Sequence, residues 1–129
     1  MVQGEEAATA ALKQEVISRV DALGSRLSEM ALDIHRHPEG GLQEYHAVEV
    51  LTDALSKAGF EVERGVAGLD TAFVAKLKGQ KERPAIALLC EYDALPEIGH
   101  ACGHNLIGVA STGAGMALAG LGQLPGTVF

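Results

Sequence analysis

The sequence predicts an α/β layer sandwich with a central, largely parallel sheet flanked by helices. Three observations carry this: helical apolar spacing near the amino terminus, a strand-like segment apolar on both faces, and the element order helix, helix, strand, strand, strand, helix, strand. From Leu12 the apolar residues Val16, Val20, Leu23, Leu27, Met30 and Ile34 follow in steps of four and three, so one face of a helix is turned toward a core. This helix should end by His37, because Pro38 restricts the residue before it and "PEGG" cannot prolong it. A second helix is expected from Tyr45 to Ala58, burying Val48, Leu51, Ala54 and Leu55 and terminated by Gly59, with Glu39 and Glu44 serving its start.

"GFEVE" then begins extended structure, and "TAFVAKLKG" alternates Phe73, Ala75 and Leu77 against Val74, Lys76 and Lys78, the period of a strand with one wetter face. "GQKERP" is a solvated turn. "AIALLC", Ala85 to Cys90, is the expected central strand, covered on both sides. "NLIGVASTGAGMALAGLG" reads as a small-residue helix packed closely on the sheet, although each glycine costs about 1 kcal/mol relative to alanine. "GTVF" opens a further strand.

At 129 residues, 47% of them apolar and 21% charged, the chain suits one folded unit with a core of Ala, Val, Leu and Ile. A net charge of −7 repels a phosphate backbone, which argues against nucleic acid as a partner. The start "MVQGEEAATA" has neither the basic flank nor the apolar run of a secretory signal, and no apolar stretch is long enough for a membrane span, so a cytoplasmic location is the expectation. Cys90 and Cys102 are expected as free thiols, Cys90 in the core; they are not a C-x-x-C pair, which weakens a redox reading.

The chemistry concentrates in "EYDALPEIGHACGHN", residues 91–105. His100, Cys102 and His104 are spaced by two, which in an extended loop sends them to one side, and thiolate and imidazole are ligands that zinc and similar borderline metals favour. Two such groups do not close a structural zinc site, so further ligands must come from elsewhere. Asp93 is placed to accept the second N–H of a metal-bound imidazole and fix its orientation; Glu91 is a weaker candidate. The plainer alternative has Asp93 capping a turn before Pro96 and Cys102 as a small buried residue at a helix start. In "IHRHPEGG" the plainer account is favoured: His35 and His37 sit in the last turn of a helix, where its negative end favours them.

The motif "EYDALPEIGHACGHNLIG", supported by "IHRHPEGGLQE" and "TAFVAKLKG", resembles the di-metal peptidases and amidohydrolases that include aminoacylase, carboxypeptidase G and hippurate hydrolase. The nearest branch by resemblance holds the aminobenzoyl-glutamate hydrolase subunit and the aminoacylase-like dipeptidases; Asn105, where the hippurate hydrolase branch commonly has aspartate, favours it. The resemblance implies that Cys102 and His104 are metal ligands and that Asp93 is the supporting catalytic aspartate. It assigns no role to His100, and Glu97 stands where glycine is expected. It further implies a zinc-exopeptidase-type layer sandwich, of which residues 1–129 are the amino-terminal part of the catalytic domain, without the inserted lid domain through which such proteins often dimerise.

The implied reaction is hydrolysis of an amide bond in an N-acyl amino acid or dipeptide-like small molecule. The implied cofactor is a divalent metal, zinc with manganese as the alternative, and two ions in the complete enzyme. The family's general base, a Glu-Glu pair, and its remaining ligands lie beyond Phe129, so little activity is expected of this chain alone. The alternative expectation is a non-catalytic metal-binding or protein-interaction module.

Overall fold

A computed structural model describes the backbone from Val2 to Phe129 and the side chains from Glu6 onward. The elements run α1 (Val2–Arg36), α2 (Tyr45–Lys57), β1 (Glu61–Arg64), β2 (Phe73–Lys76), β3 (Ala85–Ile86), α3 (His104–Ala119) and β4 (Thr127–Val128), with a short 3-10 turn at Val66–Gly68. The order is the one the sequence predicts.

In α1 the apolar stripe is continuous in sequence but not in burial. Met30, Ala31 and Ile34 are buried and Leu23 and Leu27 pack against them, whereas Leu12 is 54% exposed. The carboxyl-terminal half of α1 meets Ala47, Leu51 and Ala54 of α2 and Val109 and Met116 of α3 in one core cluster. The earlier turns, with Leu12, Val16 and Ile17, line an apolar groove of about 550 Å³ opposite Ile86, Leu121 and Val128.

α2 begins where Glu39 reaches over the turn: its two carboxylate oxygens accept the His46 and Ala47 N–H groups at 2.9 and 3.0 Å, satisfying donors that the first helical turn leaves open. Glu44 instead holds the turn itself, accepting Leu42 N–H at 2.9 Å and the Thr71 hydroxyl. The helix stops at Gly59, which takes the left-handed conformation (φ +97°) that a side chain resists, and Phe60 N–H returns to the Leu55 carbonyl.

β1 and β2 form an antiparallel hairpin with Glu61 opposite Lys76 and Arg64 opposite Phe73. Ala75 is buried and Val74 exposed, as the alternation requires. β3 and β4 pair in parallel, and a single antiparallel bridge between Leu77 and Val128 joins the two pairs. The α/β class stands, but among the described residues the strands lie in two two-stranded sheets, β1–β2 antiparallel and β3–β4 parallel.

"AIALLC" departs further from expectation. Only Ala85 and Ile86 are strand, and Ile86 and Leu89 are 56% and 76% exposed. Apolarity on both faces indicates what a strand is suited to contact; among the described residues β3 has β4 as its one strand partner, so its other edge stays open.

α3 packs chiefly on helices rather than on the sheet. A Cβ at Gly113 would stand 2.7 Å from Leu27 of α1, and one at Gly108 would stand 2.9 Å from the Glu91 carbonyl and 3.3 Å from Leu51 of α2. Glycine is therefore what lets the backbone of α3 approach α1, α2 and the chain leading into the histidine-rich loop.

Candidate metal centre

The loop between Cys90 and α3 is held at several points by its own backbone. Ala94 N–H donates to the Glu39 carbonyl at 2.7 Å, part of a bridge between Gly40 and Ala94 that ties the loop to the turn after α1. Leu95 and Gly99 exchange hydrogen bonds of 2.9 and 3.0 Å around a tight reversal. Glu97, at the tip of that reversal, has φ +66°, a conformation costing an L-residue roughly 1–2 kcal/mol and glycine little. The glycine that the resemblance calls for is what this backbone favours.

After the reversal the chain is not extended, which corrects the expected same-side presentation of His100, Cys102 and His104. Gly103 N–H donates to the His100 carbonyl at 3.0 Å, Gly103 takes φ +77°, and α3 starts at His104. A left-handed glycine at the helix start turns the chain between the second and third of these side chains. Cys102 consequently lies exposed on the turn as a free thiol, while His104 projects from the first turn of α3.

The turn brings His104 to Asp93. His104 Nδ1 lies 2.7 Å from Asp93 Oδ1, and because a carboxylate can only accept, the hydrogen sits on Nδ1. In the neutral ring the lone pair is then on Nε2, which lies 3.5 Å from Glu91 Oε2. A thiol, an imidazole with its tautomer fixed by a carboxylate, and a second acid near the free nitrogen suit a borderline divalent cation by donor type, although no three of these side chains have ligand atoms within 4.8 Å of one another. His100 stands apart: both ring nitrogens are buried without a hydrogen-bond partner, and burial pushes its pKa below the ordinary histidine value.

Other groups around the loop have structural duties. Asn105, buried, donates from Nδ2 to the Ala31 carbonyl of α1 at 3.0 Å, a contact that no sequence signal announces. Tyr92 donates its hydroxyl to the Thr71 carbonyl at 2.6 Å, and burial, with Glu44 and Cys90 nearby, pushes its pKa up to about 12. Cys90 is half-buried beside Thr112, and burial likewise raises its thiol above the ordinary value. Both cysteines are free thiols, as expected.

Among the described residues, the group of three metal-capable side chains with ligand atoms within 4.8 Å of one another lies elsewhere: Asp33, His37 and His46. Sequence reasoning singles out His37 but neither of its companions. Asp33 is legible as the residue four before His37 on a helix. His46 is not, since its approach depends on how tightly the chain turns between α1 and α2.

No family model matches the chain. Among curated proteins it is 39% identical over 116 residues to a subunit of the p-aminobenzoyl-glutamate hydrolase of Escherichia coli, covering 77% of this chain and 24% of that protein. It is also 39% identical over 127 residues to Xaa-Arg dipeptidase of Homo sapiens, covering 89% and 28%. Among solved structures it matches the YXEP protein of Bacillus subtilis, described as a dinuclear metal-binding peptidase from the M20 family, with a TM-score of 0.74 and 31% identity over 84% of this chain and 34% of that one. The chain spans about a quarter to a third of the length of these relatives. Across most of its own length the chain thus agrees in sequence and fold with part of each of several hydrolases, among them a dinuclear metal-binding peptidase of the M20 family.

Proposed function

We propose that residues 1–129 are the amino-terminal part of the catalytic domain of a metal-dependent amidohydrolase or dipeptidase, acting on an amide bond of an N-acyl amino acid or dipeptide-like small molecule. The observation that carries this is the 2.7 Å contact between Asp93 and His104. In this reading Asp93 holds His104 in the tautomer whose Nε2 can bind a cation, His104 and Cys102 are ligands, and Glu91 adds negative charge beside Nε2. Zinc suits a sulfur and a nitrogen donor, and manganese is the alternative. A bound divalent cation supplies Lewis acidity toward the scissile carbonyl and the attacking water.

The names of the relatives, a hydrolase and a dipeptidase, support the substrate class. The cytoplasmic location is part of the proposal, consistent with the finding that no described helix is long and apolar enough to cross a membrane. Assembly into homo-oligomers is likewise proposed, from the resemblance alone.

The test is metal content by elemental analysis, together with turnover of an N-acyl amino acid by this chain and by a version extended to the relatives' full length. We expect Cys102→Ser and His104→Ala to remove the ion held by the histidine-rich loop, Asp93→Asn to weaken its binding by about 10–100-fold, and turnover to require the extended form. Unchanged ion content in all three variants would refute the assignment, and rapid turnover by the 129-residue chain would refute its dependence on further residues.

One observation favours a second reading, a non-catalytic interaction module: the apolar groove between α1 and the β3–β4 pair. Stoichiometric metal binding without hydrolysis, in a stable assembly of the extended chain, would select it.

A further inference from the structure

The junction of α1 and α2 gathers two imidazoles on one carboxylate. Asp33 belongs to the last turn of α1, His37 follows the end of that helix, and His46 is the second residue of α2. His46 Nε2 lies 2.9 Å from Asp33 Oδ2, and the His37 and His46 rings approach to 4.4 Å between centroids at a 49° tilt. His37 Nδ1 donates to the Asp33 backbone carbonyl at 2.9 Å, so its Nε2 lone pair is uncommitted. All three side chains offer a ligand atom within 4.8 Å of the others. Four-coordinate zinc, with bonds of about 2.0–2.1 Å, spaces its donor atoms by roughly 3.3 Å, so the three side chains must draw in from separations of up to 4.8 Å to hold one.

The backbone that sets this spacing is fixed independently of any ion. The Glu39 carboxylate holds the His46 and Ala47 N–H groups, the bridge from Gly40 to Ala94 anchors the intervening turn, and His37 N–H continues the α1 ladder to the Ile34 carbonyl at 3.1 Å. Ligands held in place before binding cost less to order when an ion arrives.

We propose that Asp33, His37 and His46 form a second divalent-cation site, separate from the histidine-rich loop, taking a borderline transition metal such as zinc, cobalt or nickel. Two nitrogen donors and one carboxylate select that class over magnesium or calcium, which prefer oxygen ligands. The cation takes the place of the Nε2 hydrogen that His46 donates to Asp33 Oδ2; the neutral ring keeps one hydrogen by moving it to Nδ1. With the three side chains 37–54% exposed, water completes the coordination shell, and the ion exchanges with solvent. The ion clasps the end of α1 to the start of α2. The site stands whether or not the loop is a metal centre.

The test uses Co(II) and Zn(II) titrations of the 129-residue chain in a Cys102→Ser background. Thiolate charge-transfer absorption from the loop is then absent, and any remaining cobalt spectrum reports nitrogen and oxygen ligands. We expect one ion per chain to remain, the His37 and His46 ring resonances to shift on adding zinc, and His46→Gln to weaken this binding about tenfold or more. Glutamine keeps a neutral donor toward Asp33 but is a poor ligand, so circular dichroism should not change. His37→Gln gives a second reading should His46→Gln unfold, and the same loss is expected. Equal cobalt and zinc affinity in a folded His46→Gln or His37→Gln chain and its parent, or ring resonances that ignore zinc, would overturn the proposal.

Discussion

Asn105 shows how one atom type decides a residue's fate. Its amide nitrogen donates to the Ala31 carbonyl inside the α1–α3 interface. An aspartate there would set a carboxylate against a carbonyl oxygen, with no donor of its own unless it took up a proton. Asn105→Asp should therefore destabilise the chain by about 2–3 kcal/mol near neutral pH, read as a lower denaturant midpoint, with part of the loss recovered in acid. In the sequence Asn105 serves only as a marker of lineage, because the partner, Ala31, lies 74 residues away and a main-chain acceptor has no residue type to betray it. The Asp93–His104 contact is legible for the opposite reason: both partners are chemically distinctive and lie 11 residues apart in one loop. His100 falls between these cases, since its spacing matches its neighbours while the turn at Gly103 separates their directions.

At the scale of elements, helices are easier to read than strands. The spacing of Val48, Leu51, Ala54 and Leu55, together with Gly59, places α2 to within a residue of its observed end. β3 is shorter than its apolar run suggests because such a run encodes burial and not pairing, and a strand acquires its length from its neighbours. The glycines of α3 signal close approach, but what they approach is α1, α2 and the Glu91 backbone. Gly108 is the most consequential. An added methyl would meet a main-chain oxygen that cannot rotate aside, at 2.9 Å, and would push the loop that carries Asp93. Helix propensity returns about 1 kcal/mol to alanine, so Gly108→Ala should cost a net ~1–2 kcal/mol and weaken the metal binding proposed for His104. Thermal unfolding and a zinc titration would check both. A gain in stability with unchanged zinc affinity would contradict the packing argument.

Across the whole molecule, burial is uneven. The α1–α2–α3 cluster is closed, while the β3–β4 side exposes Ile86, on the apolar groove facing α1, and Leu89, on a separate hollow beside Leu88 and Phe129. Exposed apolar surface of this kind promotes association. Leu89→Lys should change stability by no more than about 0.5 kcal/mol, since little burial is lost, yet reduce light scattering in concentrated samples. A large drop in melting temperature would instead mean that Leu89 supports the fold. Overall class and element order are legible from periodicity and turn residues, whereas the mixed strand directions and the open face depend on long-range pairing that no local pattern encodes.

Glu39 occupies an unusual junction. Its carbonyl takes the Ala94 amide while its carboxylate takes two amides at the start of α2. A single residue thus splices the segment that bears Asp93 to the one that bears His46. Should ions occupy both places, their affinities become linked to the extent that either one shifts Glu39, and thermodynamic reciprocity makes that effect the same in either order of arrival.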